Sequence, residues 1–101
     1  MYYIYFLYSQ SSDLYYVGYT SDMERRLVEH NESTENTFTS KHRPWVLKGL
    51  FEAGEIEADA IKIERFIKKQ KSRKLILTML NENFIPNGIL AQLVRVPYVR
   101  D

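Results

Sequence analysis

The sequence predicts an α/β fold: a small, three-stranded, mainly antiparallel sheet flanked by helices, in the order β-β-α-β-α-α with a C-terminal tail. Three observations predict it. Two runs rich in tyrosine and β-branched residues, Tyr2–Tyr8 and Leu14–Thr20, flank the turn-forming stretch Ser9-Gln10-Ser11-Ser12-Asp13, which is the pattern of a hairpin. Ile56, Ala60, Ile63 and Ile67 recur at steps of four, three and four, the spacing of one helix face. The 101 residues contain no cysteine, so a single domain must hold itself together by one modest core, without disulfides or thiolate metal sites.

Tyr2–Tyr8 contains only apolar or amphipathic residues, which predicts a central strand buried on both faces. Tyr3, Tyr5 and Leu7 share one face of it; Tyr16, Gly18 and Thr20 share one face of the second strand. The short connection makes the two strands antiparallel. Ser21 and Glu24 form a capping-box pattern, opening a helix that runs to about Asn31. Met23, Leu27 and His30 fall on one stripe of that helix, with Arg26 beside it and one turn before His30. The polar stretch from Asn31 to Arg43 reads as a loop closed by Pro44, followed by a third strand from Trp45 to about Gly54. Trp45 is expected in the core or in a lid. A helix over Glu55–Gln70 carries the isoleucine stripe, with Glu64 at its border between core and solvent. Ser72 caps a last helix ending near Asn81. Ile85-Pro86-Asn87-Gly88 is a turn, and the apolar run from Ile89 to Val99 lies over the sheet, forms a last strand or makes a subunit contact. Residues 1–83 are thus expected to be the working domain, with residues 84–101 an extension packed on it or on a partner.

The net charge is only +1, but the charges are segregated. Lys62, Arg65, Lys68, Lys69, Lys71, Arg73 and Lys74 crowd one segment against Glu64 alone, just after the acidic group Glu52, Glu55, Glu57 and Asp59. Such asymmetry suggests a polyanion met by one surface. No leader pattern and no apolar run near membrane-spanning length occurs, so a soluble, cytoplasmic protein with no membrane partner is expected.

The most informative stretch is Tyr3-Ile4-Tyr5, ten further residues, Tyr16-Val17-Gly18, then Arg26 and His30. It resembles the paired signature of the GIY-YIG nuclease superfamily, with Tyr3 for the first glycine and Val17 for the second isoleucine. Gly18–Leu27, Phe38–Trp45 and the basic run Ile67–Lys74 are similar to later parts of the same pattern. The likeness spans Met1 to about Leu80. It is greatest to the small, stand-alone, single-domain bacterial members and more distant to the excision-repair nuclease N-terminal domain.

The resemblance implies a metal-dependent endonuclease that hydrolyses DNA phosphodiesters, in DNA repair or processing. Tyr5 and Tyr16 would be the catalytic pair, one of them orienting or deprotonating the water. Arg26 would hold the scissile phosphate, and Glu64 would ligate a divalent cation, Mg2+ or Mn2+. His30 would shuttle a proton or hold a tyrosine. Lys41, Arg43, Lys68, Lys69, Lys71, Arg73 and Lys74 would meet DNA phosphates. The chemistry suits these residue types: an arginine fork pairs bidentately with phosphate oxygens, and a hydrated cation needs as few as one protein carboxylate. A tyrosine with its ordinary pKa near 10 is a poor base at neutrality and needs help from a neighbouring charge or hydrogen bond. Gly18 is expected to let the phosphate approach the strand. Tyr19 stands where some relatives carry a lysine that assists catalysis, so Lys41 or another residue must supply that charge. Two other readings are a catalytically weak or inactive DNA-binding module of the same fold, and a protein that dimerises through its C-terminal tail.

Overall fold

The computed structural model describes residues 1–97. Strands β1 (Tyr2–Ser9) and β2 (Leu14–Thr20) are followed by helix α1 (Met23–Glu32), strand β3 (Trp45–Gly54) and helices α2 (Glu57–Lys69) and α3 (Arg73–Leu80). A two-residue strand, β4 (Val94–Arg95), completes an antiparallel sheet in the order β2-β1-β3-β4. The α/β architecture follows the expectation, with four strands in place of three. The fourth has a physical reason. Without it β3 would present an unpaired backbone edge, and short cover is a common way to blunt one. Phe51 and Glu52 pair with Arg95 and Val94, and the Val96 amide donates to the Leu50 carbonyl at 2.8 Å.

Because β1 lies inside the sheet, both of its faces need partners, which explains a strand without charged residues. Ile4 and Phe6 face the larger core, made with Phe51, Ala53, Ala60, Ile63, Ile67 and Met79 from β3, α2 and α3. Tyr5 and Leu7 face the opposite way, with Trp45, and pack against Met23 and Leu27 of α1. The C-terminal segment joins the first core through Leu90 and Leu93, both buried. Val99, the end of the apolar tail in the sequence, lies outside the described residues.

Helix boundaries depart from expectation in small, explicable ways. The cap of α1 is Asp22, whose carboxylate accepts from the Arg25 amide at 3.1 Å. Ser21 is not the cap, because the Thr20 hydroxyl engages both the amide and the carbonyl of Asp22 and fixes the turn one residue later. Helix α2 starts after Ile56, which is left 60% exposed and so does not extend the apolar stripe. Ser72 does cap α3, accepting from the Leu75 amide at 3.0 Å. The loop before β3 contains a short 3-10 turn, Thr39–His42.

Candidate active site

Strand register builds the centre of the site. Tyr5 lies directly across from Gly18, and Tyr16 from Leu7, so the two tyrosines are diagonal neighbours on the α1 face with ring centroids 6.4 Å apart. Gly18 makes room for Tyr5, a role that the sequence-based expectation for this glycine did not include. A Cβ there would stand 2.3 Å from the Tyr5 hydroxyl oxygen, so the missing side chain is the space the phenol occupies. Tyr5 is almost wholly buried, at 1% exposed.

Helix α1 supplies the next layer. His30 is buried, and its Nε2 lies 2.7 Å from the Tyr5 hydroxyl while its Nδ1 lies 2.9 Å from Thr39 Oγ1. The same ring packs 5.2 Å from the Tyr16 ring. Burial, with the positive charge of Arg26 beside it, pushes the His30 pKa down to about 4. The imidazole is therefore neutral at neutral pH. Burial pushes the Tyr5 phenol up to about 12, against the opposing pull of Arg26. A neutral phenol donating to a neutral imidazole Nε2 satisfies both groups, with Nδ1–H donating to Thr39.

Arg26 is steadied by Glu29, whose carboxylate accepts from it at 3.0 Å and from Arg25 at 2.7 Å. The hydrogen bond from Arg26 holds the Glu29 carboxyl below its usual range. Tyr16, Arg26, Glu29, His30 and Thr39 line a cleft of 370 Å³, with Phe38 stacked at 6.3 Å over Tyr16. Tyr5 does not line it and joins it through the bond to His30.

Glu64 and Lys68 reach this centre from α2, past the outer strand β2. They pair at 3.8 Å, and the Lys68 ammonium stands 4.8 Å from the centre of the Tyr16 ring. Tyr19 donates instead to Glu57 at 3.0 Å, so the cation beside the tyrosines comes from α2 and not from the position after Gly18. Among the described residues no three His, Cys, Asp or Glu side chains converge as a metal cage. A single carboxylate at the border of solvent does fit Mg2+ or Mn2+, which keep several waters and borrow oxygens from a phosphate substrate.

The basic residues divide. Lys41, Lys68, Lys69, Lys71 and Lys74 are exposed. Arg43 is half-buried and donates to the carbonyls of His30, Ser33 and Glu29, which closes the C-terminal end of α1. Arg73 donates to the carboxylate and carbonyl of Asp13 and lies 5.1 Å over the Tyr15 ring, tying α3 to the hairpin turn. Three contributions were not legible in advance: Glu29, the bond between Thr39 and His30, and the placement of Lys68 on Tyr16. Glu29 follows Arg26 by three residues, a spacing that could have flagged it. Nothing local marks Thr39 as the partner of His30.

A strand hairpin presenting two tyrosines beside an arginine-histidine helix, with a glutamate arriving from the next helix, defines a GIY-YIG domain. Residues 1–76 match the family's GIY-YIG catalytic domain. The chain therefore belongs to the GIY-YIG family, a nuclease family. It is 37% identical over 84 residues to the UPF0213 protein in ldhD 5'region of Pediococcus acidilactici, across 81% of this chain and 83% of that one. It is 41% identical over 59 residues to UPF0213 protein lin0209 of Listeria innocua, across 58% of this chain. The match spans 64% of the Listeria protein, less than two thirds of its length. Among the described residues no helix is long and apolar enough to cross a membrane.

Proposed function

We propose that this protein is a metal-dependent endonuclease that hydrolyses DNA phosphodiester bonds in one step, in cytoplasmic DNA repair or processing. The observation that carries this reading is a cleft lined by Tyr16, Arg26 and His30, with Tyr5 bonded to His30 and with Lys68, paired to Glu64, against the Tyr16 ring. Glu64 would hold the cation, which when bound supplies Lewis acidity and a water of lowered pKa. Arg26 would take two phosphate oxygens, its fork pre-set by Glu29. Tyr16 lines the cleft and would orient the attacking water; Tyr5, fixed by His30, would hold the tyrosine pair and the arginine in register. As the water oxygen bonds to phosphorus it gives up a proton to a second water of the solvent. The bond from phosphorus to the leaving oxygen breaks, and that oxygen takes a proton from solvent. Arg26 and Lys68 would carry the extra negative charge between those events.

Lys41, Lys68, Lys69, Lys71 and Lys74 would make the phosphate contacts, so binding should weaken steeply with salt and depend little on sequence. Arg43 and Arg73 would support that surface from behind. The division of the chain into a catalytic unit over residues 1–83 and a C-terminal extension belongs to the same reading. A homodimer through that extension would have to use Ile85 and Val94, which are exposed, because Leu90 and Leu93 are buried in the chain's own core.

One observation favours the second reading, a DNA-binding module with weak catalysis. Tyr5 is both buried and raised to about 12, so it offers no base near neutrality. The deciding experiment is cleavage of duplex, nicked and branched DNA with Mg2+ or Mn2+, comparing the parent with Arg26→Ala and Glu64→Ala. Metal-dependent cutting that both substitutions abolish supports the nuclease. Low-salt binding by a parent that never cuts would leave the binding module.

A further inference from the structure

Tyr16 is a shared wall. It lines the cleft with Arg26 and His30, and it also lines a groove of 340 Å³ between β2 and the α2–α3 junction. Leu14, Val17, Ile67 and Ile76 give that groove an apolar floor, and Lys68 and Lys71 stand at its sides. The wall beyond Tyr16 is preformed. Tyr15 is held between Tyr8, with ring centroids 4.8 Å apart, and Arg73, itself anchored to Asp13 at 2.8 Å. Lys71 adopts φ +47°, a left-handed conformation in which glycine is at ease and lysine is not. The chain thus keeps a cation at a position where its backbone would prefer no side chain.

An apolar slot flanked by ammonium groups matches the chemistry of a single nucleotide: a flat ring with apolar faces next to an anionic phosphate. Ligand pockets run from roughly 300 to 1,000 Å³, so this slot admits one ring system and not a duplex. We infer that the groove receives an unpaired nucleotide adjoining the scissile phosphate, its base over Ile76 and Val17 and its phosphate between Lys68 and Lys71. The inference rests on the nuclease reading and narrows its substrate to DNA unpaired on one side of the cut, such as a flap, a gap or a single strand. Aromatic and apolar platforms flanked by cations are how proteins bind such strands without reading sequence.

The test uses Glu64→Gln protein, so that DNA stays intact, with Lys71→Gly or Ile76→Trp added. Fluorescence anisotropy would compare a labelled oligothymidylate with a blunt duplex of equal length. Ile76→Trp should weaken the single strand by about tenfold, the size expected for losing one stacked base, and leave the duplex nearly unchanged; Lys71→Gly, which also removes a general phosphate contact, should weaken both, the single strand by the larger factor. Thermal unfolding should show Lys71→Gly at least as stable as its parent, so that weaker binding cannot be misfolding. Equal losses on both probes, or none on either, would overturn the groove. Selective loss on the single strand in a protein whose parent never cuts DNA keeps the groove and removes the nuclease reading.

Discussion

Gly18 decides where Tyr5 can be. An alanine there would put its Cβ 2.3 Å from the Tyr5 oxygen, inside any real contact. Gly18→Ala should destabilise the chain by about 1–3 kcal/mol in urea unfolding, as overpacking does, and should displace Tyr5 from His30. His30 carries a second prediction. Folded, it takes its proton near pH 4; unfolded, near 6.5. Between those values the unfolded chain binds more protons, so stability falls as pH drops from 6.5 towards 4. The fall is at most about 3 kcal/mol from this residue, and His30→Gln should flatten it in unfolding curves taken across that window. At this scale the tyrosines, Arg26, His30 and Glu64 were legible because residue types and order mark them. The purpose of Gly18 was not, because strand register across the hairpin sets which side chain lies over it. The Thr39–His30 bond was invisible for a similar reason: a loop hydroxyl gains its partner only when the 3-10 turn folds onto α1.

Helix α1 is the element that aims Arg26 and His30, and both of its ends are fastened by side chains. Asp22→Ala should cost about 1 kcal/mol, the usual loss of an N-terminal cap, while Ser21→Ala should cost much less. The capping-box pattern points to Ser21; the Thr20 hydroxyl, bonded to Asp22, sets the cap one residue later. At the other end, Arg43 serves three carbonyls, and hydrogen bonds from a charged group are worth roughly 1.5–3 kcal/mol. Arg43→Met should therefore lower the denaturation midpoint while leaving low-salt DNA affinity of the folded protein near that of the parent. Residue type alone cannot say which cations the fold engages; Arg43 and Arg73, both expected to meet phosphates, also hold hydrogen bonds within the chain. Helix α2 was more legible. Its stripe of Ala60, Ile63 and Ile67 faces the core, and that phase puts Glu64 and Lys68 together on the rim.

For the molecule as a whole, the sheet, its antiparallel pairing and the helical layers followed from periodicity and turn chemistry. The closure by β4 did not, since two residues carry no alternation to read. Leu90 and Leu93 complete the main core, and buried leucines are worth roughly 2–5 kcal/mol each. Truncation after Glu82 should accordingly abolish a cooperative thermal transition in circular dichroism. We propose above all that the tyrosine, arginine and glutamate cluster hydrolyses DNA with a divalent cation held by Glu64. Binding and cutting by Glu64→Gln, measured on one preparation beside the parent, test it most directly. The account predicts parent-like DNA affinity without metal and no metal-dependent cleavage above background. Cleavage at the parent rate by Glu64→Gln would contradict it.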